Sequence, residues 1–145
     1  MKIVQLTPET ILPLAQMMKE MWPQVDLEEE VANNSRVYRD PSQTAFLISI
    51  DGHWAGFAFM AMRRDFVEGT STSPVAYLEG IYIREAYRKK GYASQLLSRI
   101  EDWARIQGAL EIGSDTEIEN LISQDFHTSS GFKEVNRIVC FAKKL

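Results

Sequence analysis

The chain has 145 residues, enough for one compact domain over 1–145 and too few for two. Hydrophobic residues at 45% and charged ones at 25% exclude a disordered tail, a fibrous repeat and a disulfide-stapled miniprotein. A net charge of −4 argues against a nucleic-acid partner held by counterion release, and a lone Cys140 excludes an intrachain disulfide and any multi-cysteine zinc site.

No apolar run approaches the roughly 18 residues that a membrane-spanning helix needs. The start MKIVQLTPET lacks a basic segment followed by an apolar one, so no secretory leader is expected. These features, with a single cysteine, fit a reducing cytoplasm. Lys2–Leu6 reads as a short strand. Thr7 then caps a helix with Pro8 at its first position, where a missing N–H costs nothing. Asp26 caps a second helix through about Asn33, with acids in the first turn. Thr44–Ile50 and Trp54–Arg63 form a hairpin around Asp51-Gly52. Val75–Ile83 is a strand, and Gly91–Gln107 carries apolar residues at the helical period. Ala109–Gly113 is strand-like, Glu117–Ser129 helical, and Phe132–Val135 and Arg137–Lys143 close the chain as strands. The order predicts an α/β fold around a mixed sheet.

Charge is segregated along this chain. Residues 84–99 hold five bases (Arg84, Arg88, Lys89, Lys90, Arg99) against Glu85, whereas residues 101–134 hold eight acids against Arg105 and Lys133. The informative stretch joins the strand ending at Ile83 to the helix opening at Gly91, through the basic turn Arg88-Lys-Lys-Gly-Tyr-Ala93. Unpaired amides at a helix start, a glycine that lets a ligand approach the backbone and three consecutive bases together suit a phosphate or pyrophosphate. The turn lacks the Gly-Lys-Ser/Thr of a P-loop and the Gly-x-Gly-x-x-Gly of a dinucleotide fold.

Here the sequence resembles the GCN5-related N-acetyltransferase superfamily, whose pyrophosphate loop matches Arg88-x-x-Gly91-x-Ala93. The resemblance continues through Asn120, His127 and the closing segment, over nearly the whole chain. Asp65-Phe-Val-Glu-Gly-Thr70, Ser73-Pro74, Leu78-Glu-Gly-Ile81, Gly113-Ser-Asp-Thr116 and Ser123-Gln124 are similar to the aminoglycoside 6′-N-acetyltransferases. The fold implied is a single mostly antiparallel sheet flanked by helices, with splayed central strands.

What the resemblance implies is direct attack of an amine on the thioester of acetyl-CoA. Such chemistry needs a deprotonated amine, a donor for the oxyanion and protonation of the departing thiolate. The pyrophosphate falls to Arg88, Lys89, Lys90, Gly91, Tyr92, Ala93 and Ser94, and the pantetheine arm to the backbone of Ile81, Tyr82 and Ile83. Asn120 bonds the co-substrate, and His127 stands where many members carry a general-acid tyrosine. Glu79 and Asp115 bind the acceptor's ammonium groups and are the candidate proton acceptors. Trp22 and Phe66 wall the sugar site. Asn136 stands where close relatives carry an acid that reaches substrate. A homodimer sharing its C-terminal strands is implied, with no metal and no nucleic acid or membrane partner. Another small amine or a protein amine as acceptor, or a coenzyme A-binding module without catalysis, are the competing readings. Cys140 reads as a small buried hydrophobe in the last strand.

Overall fold

The computed structural model describes residues Met1–Leu145. Five strands form one sheet in the order β1-β2-β3-β4-β5. β1 (Lys2–Gln5), β2 (Gln43–Ile50), β3 (His53–Arg63) and β4 (Val75–Ile83) pair antiparallel, and β5 (Ile112–Ser114) joins β4 in parallel. A parallel pair needs a crossover, and α3 (Tyr92–Ile106) supplies it. α1 (Ile11–Met21) and α2 (Leu27–Arg39) precede β2, and α4 (Leu121–Ser129) follows β5.

Local chemistry sets most of these bounds. Pro8 opens a short 3₁₀ turn, closed by Thr7 and Thr10 bonding each other's backbone, which leads into α1. Asp51 and Gly52 both adopt positive φ, 50° and 81°, as a tight two-residue hairpin turn requires. α2 runs on to Arg39 rather than stopping near Asn33. The reason is burial: Asn34 is only 2% exposed and turns its amide onto Met18 Sδ at 3.5 Å, with Val37 following on the same face. Asn-Asn-Ser stops a helix when solvated, and here it faces the core.

Each face of the sheet carries its own core. α1 and α2 cover one with Leu14, Met17, Met18 and Val37 against Ala45, Leu47 and Phe57. α3 covers the other with Leu96, Leu97, Ile100 and Trp103 against Ile48, Ala58, Met60 and Leu78. Cutting fully buried Leu96 to alanine would cost about 3 kcal/mol, transfer and cavity terms together.

Four further expected elements differ. β5 is Ile112–Ser114, shorter and later than Ala109–Gly113, because Ala109 is buried beneath the α3 core instead of pairing in the sheet. α4 begins at Leu121 rather than Glu117, because Asn120 Oδ1 accepts the Ser123 amide at 3.1 Å and asparagine outranks glutamate as a cap. Beyond Gly131 the chain forms neither of the two closing strands. A strand needs a partner for its backbone, and within one chain none lies beside this segment. Ile138, Val139 and Phe141 are therefore exposed, and so is Cys140, contrary to its expected burial.

Candidate active site

Two departures from regularity in β4 build the site. The first is a fork. β4 pairs with β5 only at Ala76↔Ile112, Tyr77↔Gly113 and Leu78↔Ser114. From Glu79 to Ile83 the same edge of β4 has no strand beside it, so the expected splay exists and starts at Leu78/Ser114. The second is a bulge. Phe59 faces Gly80 while Met60 faces Leu78, which leaves Glu79 as the extra residue. The bulge shifts the parity of the strand. Ala76 and Leu78 face α3 before it, Ile81 and Ile83 after it. Glu79 and Gly80 consequently both fall toward the α1/α2 side.

Gly80 is required there for a second reason. A Cβ at this position would lie 2.8 Å from Trp22 Cη2, so only glycine lets the indole rest on the β4 backbone. Trp22 and Glu79 together line an open cleft of about 800 Å³ between the α1–α2 layer and the sheet, with Phe59 at its floor.

Arg63, at the end of β3, organises the carboxylate side. Its Nε and Nη2 both donate to Glu79 Oε1, at 3.2 and 2.8 Å, and its guanidinium stacks 3.4 Å above the Tyr77 ring. Tyr77 in turn lies against Asp115. Burial first, then the Asp115 carboxylate, push the phenol up to about 12, against the pull of Arg63. It is a donor, not a base, at neutral pH. Glu79 and Asp115 are thus brought together across Tyr77, as the sequence suggested, but the residues that hold them, Arg63 and Tyr77, escaped notice. Neither sits in a sequence motif; they meet because β3 and β4 are neighbours.

Beyond the end of β4 lies the start of α3. Gly91 is its N-cap at φ +79°, no side chain caps the helix, and its first turn holds no acid. The amides of Tyr92, Ala93 and Ser94 are therefore the helix's orphan donors. Lys89 is a non-glycine residue at φ +59°, a strained conformation costing about 1 kcal/mol, of the kind found at functional loops. Arg88 and Lys90 fold back on the loop. Arg88 Nε donates to the Ile83 carbonyl at 2.8 Å and Lys90 Nζ to the Ala86 carbonyl at 3.2 Å, so both also brace it. Of the three expected backbone supports, Tyr82 faces β3, as Arg84 does in donating its amide to the Ala55 carbonyl, which leaves the Ile81 backbone and the Ile83 amide on the open edge.

His127, on α4, reaches into the fork. Its Nδ1 lies 2.7 Å from the Ser123 carbonyl and its Nε2 2.7 Å from Ser114 Oγ, with the Phe132 ring 5.0 Å away. Asn120 is exposed at the start of α4 and spends its carbonyl oxygen on capping. Phe66, 81% exposed, stands on the loop after β3. Asn136 donates to Glu68 Oε1 on that same loop at 2.9 Å. No three His, Cys, Asp or Glu side chains gather where a metal ion would be held.

The sequence profile of the acetyltransferase (GNAT) family matches residues 11–132. Aminoglycoside N(6')-acetyltransferase type 1 of Serratia marcescens is 41% identical over 126 residues, 86% of each chain. The protein of the same name from Stenotrophomonas maltophilia is 33% identical over 99% of this chain and 93% of its own. Among solved structures, aminoglycoside N-acetyltransferase AAC(6')-Iy in complex with CoA superposes with a TM-score of 0.96 at 31% identity, covering 99% of this chain and 95% of that one. The same protein with the bisubstrate analog CoA-S-monomethyl-acetylneamine gives 0.95 at 31% identity, covering 99% and 98%.

Proposed function

Because the chain belongs to the acetyltransferase (GNAT) family, we propose that it carries the acetyl group of acetyl-CoA to the 6′-amine of aminoglycosides. The observation that carries this reading is the fork in β4/β5, with carboxylates from both strands, Glu79 on β4 and Asp115 just after β5, and the uncapped amides of α3 beyond the end of β4. Acetyl-CoA supplies a thioester whose carbonyl the amine attacks and whose thiolate departs.

The residues present fit that co-substrate. Tyr92, Ala93 and Ser94 amides, with Lys89 and Lys90, suit its pyrophosphate, since a helix start without its own acid attracts an anion. The unpaired β4 edge, at the Ile81 backbone and the Ile83 amide, suits an amide-bearing arm, and Asn120's amide nitrogen remains to donate. Glu79 Oε2 takes no bond from Arg63, which leaves it for an ammonium group. Asp115 takes a second, and Trp22 and Phe66 offer faces to sugar rings. Either carboxylate can accept the attacking amine's proton, directly or through water.

A homodimer completes the picture. The exposed apolar run Ile138–Phe141 suits pairing with a second copy, which would carry Asn136 and Glu134 toward the neighbour's acceptor site. Light scattering of a concentration-independent, fully active monomer would refute that assembly. The lone, exposed Cys140 thiol supports a reducing cytoplasm as the site of the work, where acetyl-CoA is at hand.

The test of the activity is direct. Incubation with acetyl-CoA and a kanamycin-type acceptor should release thiol and yield a product acetylated at the 6′-nitrogen by NMR. Acetylation at another nitrogen, or thiol release only with unrelated amines, rejects the reading.

A further inference from the structure

Both nitrogens of His127 are already engaged, and that restricts how its proton can leave. The Ser123 carbonyl only accepts, so Nδ1 carries hydrogen in the 2.7 Å contact. Any proton given up therefore departs from Nε2, and Nε2 faces Ser114 Oγ at 2.7 Å. Ser114 is the last β5 residue paired with β4, so its hydroxyl lies in the crotch of the fork, 3.2 Å from the Leu78 carbonyl.

That hydroxyl has one proton and two neighbours able to take it. When it donates to the Leu78 carbonyl, it can only accept from His127, whose ring is then the doubly protonated cation. When His127 is neutral, the hydroxyl must turn and donate to Nε2. Its orientation is thus tied to the charge on the ring.

We propose that Ser114 is the relay through which His127 protonates the departing thiolate. The Nε2–H proton passes to Ser114 Oγ as the Oγ–H proton passes to sulfur. Serine ends with the one proton it began with, the imidazole ends neutral, and the sulfur ends as a thiol. The ring regains its proton from water between turnovers. This rests on the reading of His127 as the acid.

Three variants test it, His127→Gln, Ser114→Ala and Ser114→Thr, with the double variant His127→Gln/Ser114→Ala. Groups acting in one path are non-additive, so each of the first two should lower kcat by roughly tenfold to a hundredfold and the double variant no further. Acetyl-CoA affinity by calorimetry should move less than about twofold, and Ser114→Thr, which keeps the hydroxyl, should recover most of the rate. On the ligand-free protein, the Leu78 carbonyl ¹³C shift should follow the titration of His127 and cease to do so in Ser114→Ala. A slow His127→Gln beside a full-rate Ser114→Ala sinks the relay and spares the acid. A full-rate His127→Gln sinks both. Losses that multiply in the double variant, or a Leu78 carbonyl indifferent to His127, overturn the relay as well.

Discussion

The N-termini of α2 and α3 face the same electrostatic problem and solve it oppositely. α2 satisfies itself: Asp26 Oδ1 accepts the Glu29 amide at 2.9 Å, and Glu28, Glu29 and Glu30 fill the first turn. α3 does neither, having Gly91 as cap and no acid in its first turn. α4 behaves like α2, capped by Asn120. A glycine cap gives up only about a few tenths of a kcal/mol and leaves the first amides without a side-chain partner. α1 also lacks a capping side chain and a first-turn acid, but a short 3₁₀ turn leads into it; α3 alone opens at a positive-φ glycine after three consecutive bases, which suits an anion.

The largest effect should come from making α3 resemble α2. Ser94 is exposed in the first turn of α3, so Ser94→Asp would occupy the free amides without disturbing the core. Folding stability should hold or rise by a few tenths of a kcal/mol. Coenzyme A affinity by calorimetry should fall at least about a hundredfold, about 2.7 kcal/mol. Unchanged affinity would dissolve the contrast between the two helices.

The next prediction concerns the acceptor cleft. Gly80→Ala puts a methyl 2.8 Å from Trp22 Cη2 and must displace the indole. The aminoglycoside KM should rise roughly tenfold while that for acetyl-CoA stays put, a loss of about 1.4 kcal/mol confined to acceptor binding. Parallel loss of both substrates would mean that Gly80 supports the fold and not the cleft.

A smaller change comes from stripping α2. Asp26→Ala should cost about 1 kcal/mol in denaturant unfolding and leave both ligands' affinities alone. Smallest is a pH effect at the α1–β4 contact. The Arg84 guanidinium bonded to Glu20 at 2.6 Å holds that carboxyl below its ordinary value, opposed by partial burial. A depressed carboxylate contributes stability above its unfolded pKa and loses it as pH falls through the folded one. Stability curves of Glu20→Gln should therefore flatten on the acid side, and an unaltered acid limb would show the pair to be neutral.

Much of this was legible in the chain because it rests on local chemistry. Pro8, Asp26, Asp51-Gly52 and the apolar period of residues 92–106 each specify their own element. The basic turn and Gly91 marked the donor loop for the same reason. The bulge had a signal too, since an isolated glycine inside a strand suggests one, and Glu79-Gly80 interrupts an otherwise apolar run. What stayed hidden depends on contacts between distant segments. Arg63 meets Glu79 and Tyr77 through strand pairing, and Ser114 meets His127 through the placing of α4. The closing strands failed as an expectation because alternation says a segment can pair, not that a strand lies beside it.

On the proposed reading acetyl-CoA sits at the basic start of α3 and the aminoglycoside at Glu79 and Asp115, so the two ligands are held by opposite charges. Calorimetric titration of Asp115→Asn with each ligand separately tests it most directly, because the substitution removes a charge and keeps the shape. Aminoglycoside affinity should fall at least tenfold, about 1.4 kcal/mol, and the wild-type affinity should weaken as salt rises, while coenzyme A binding stays within about twofold. An aminoglycoside affinity equal to wild type, or an equal loss for both ligands, would contradict the account.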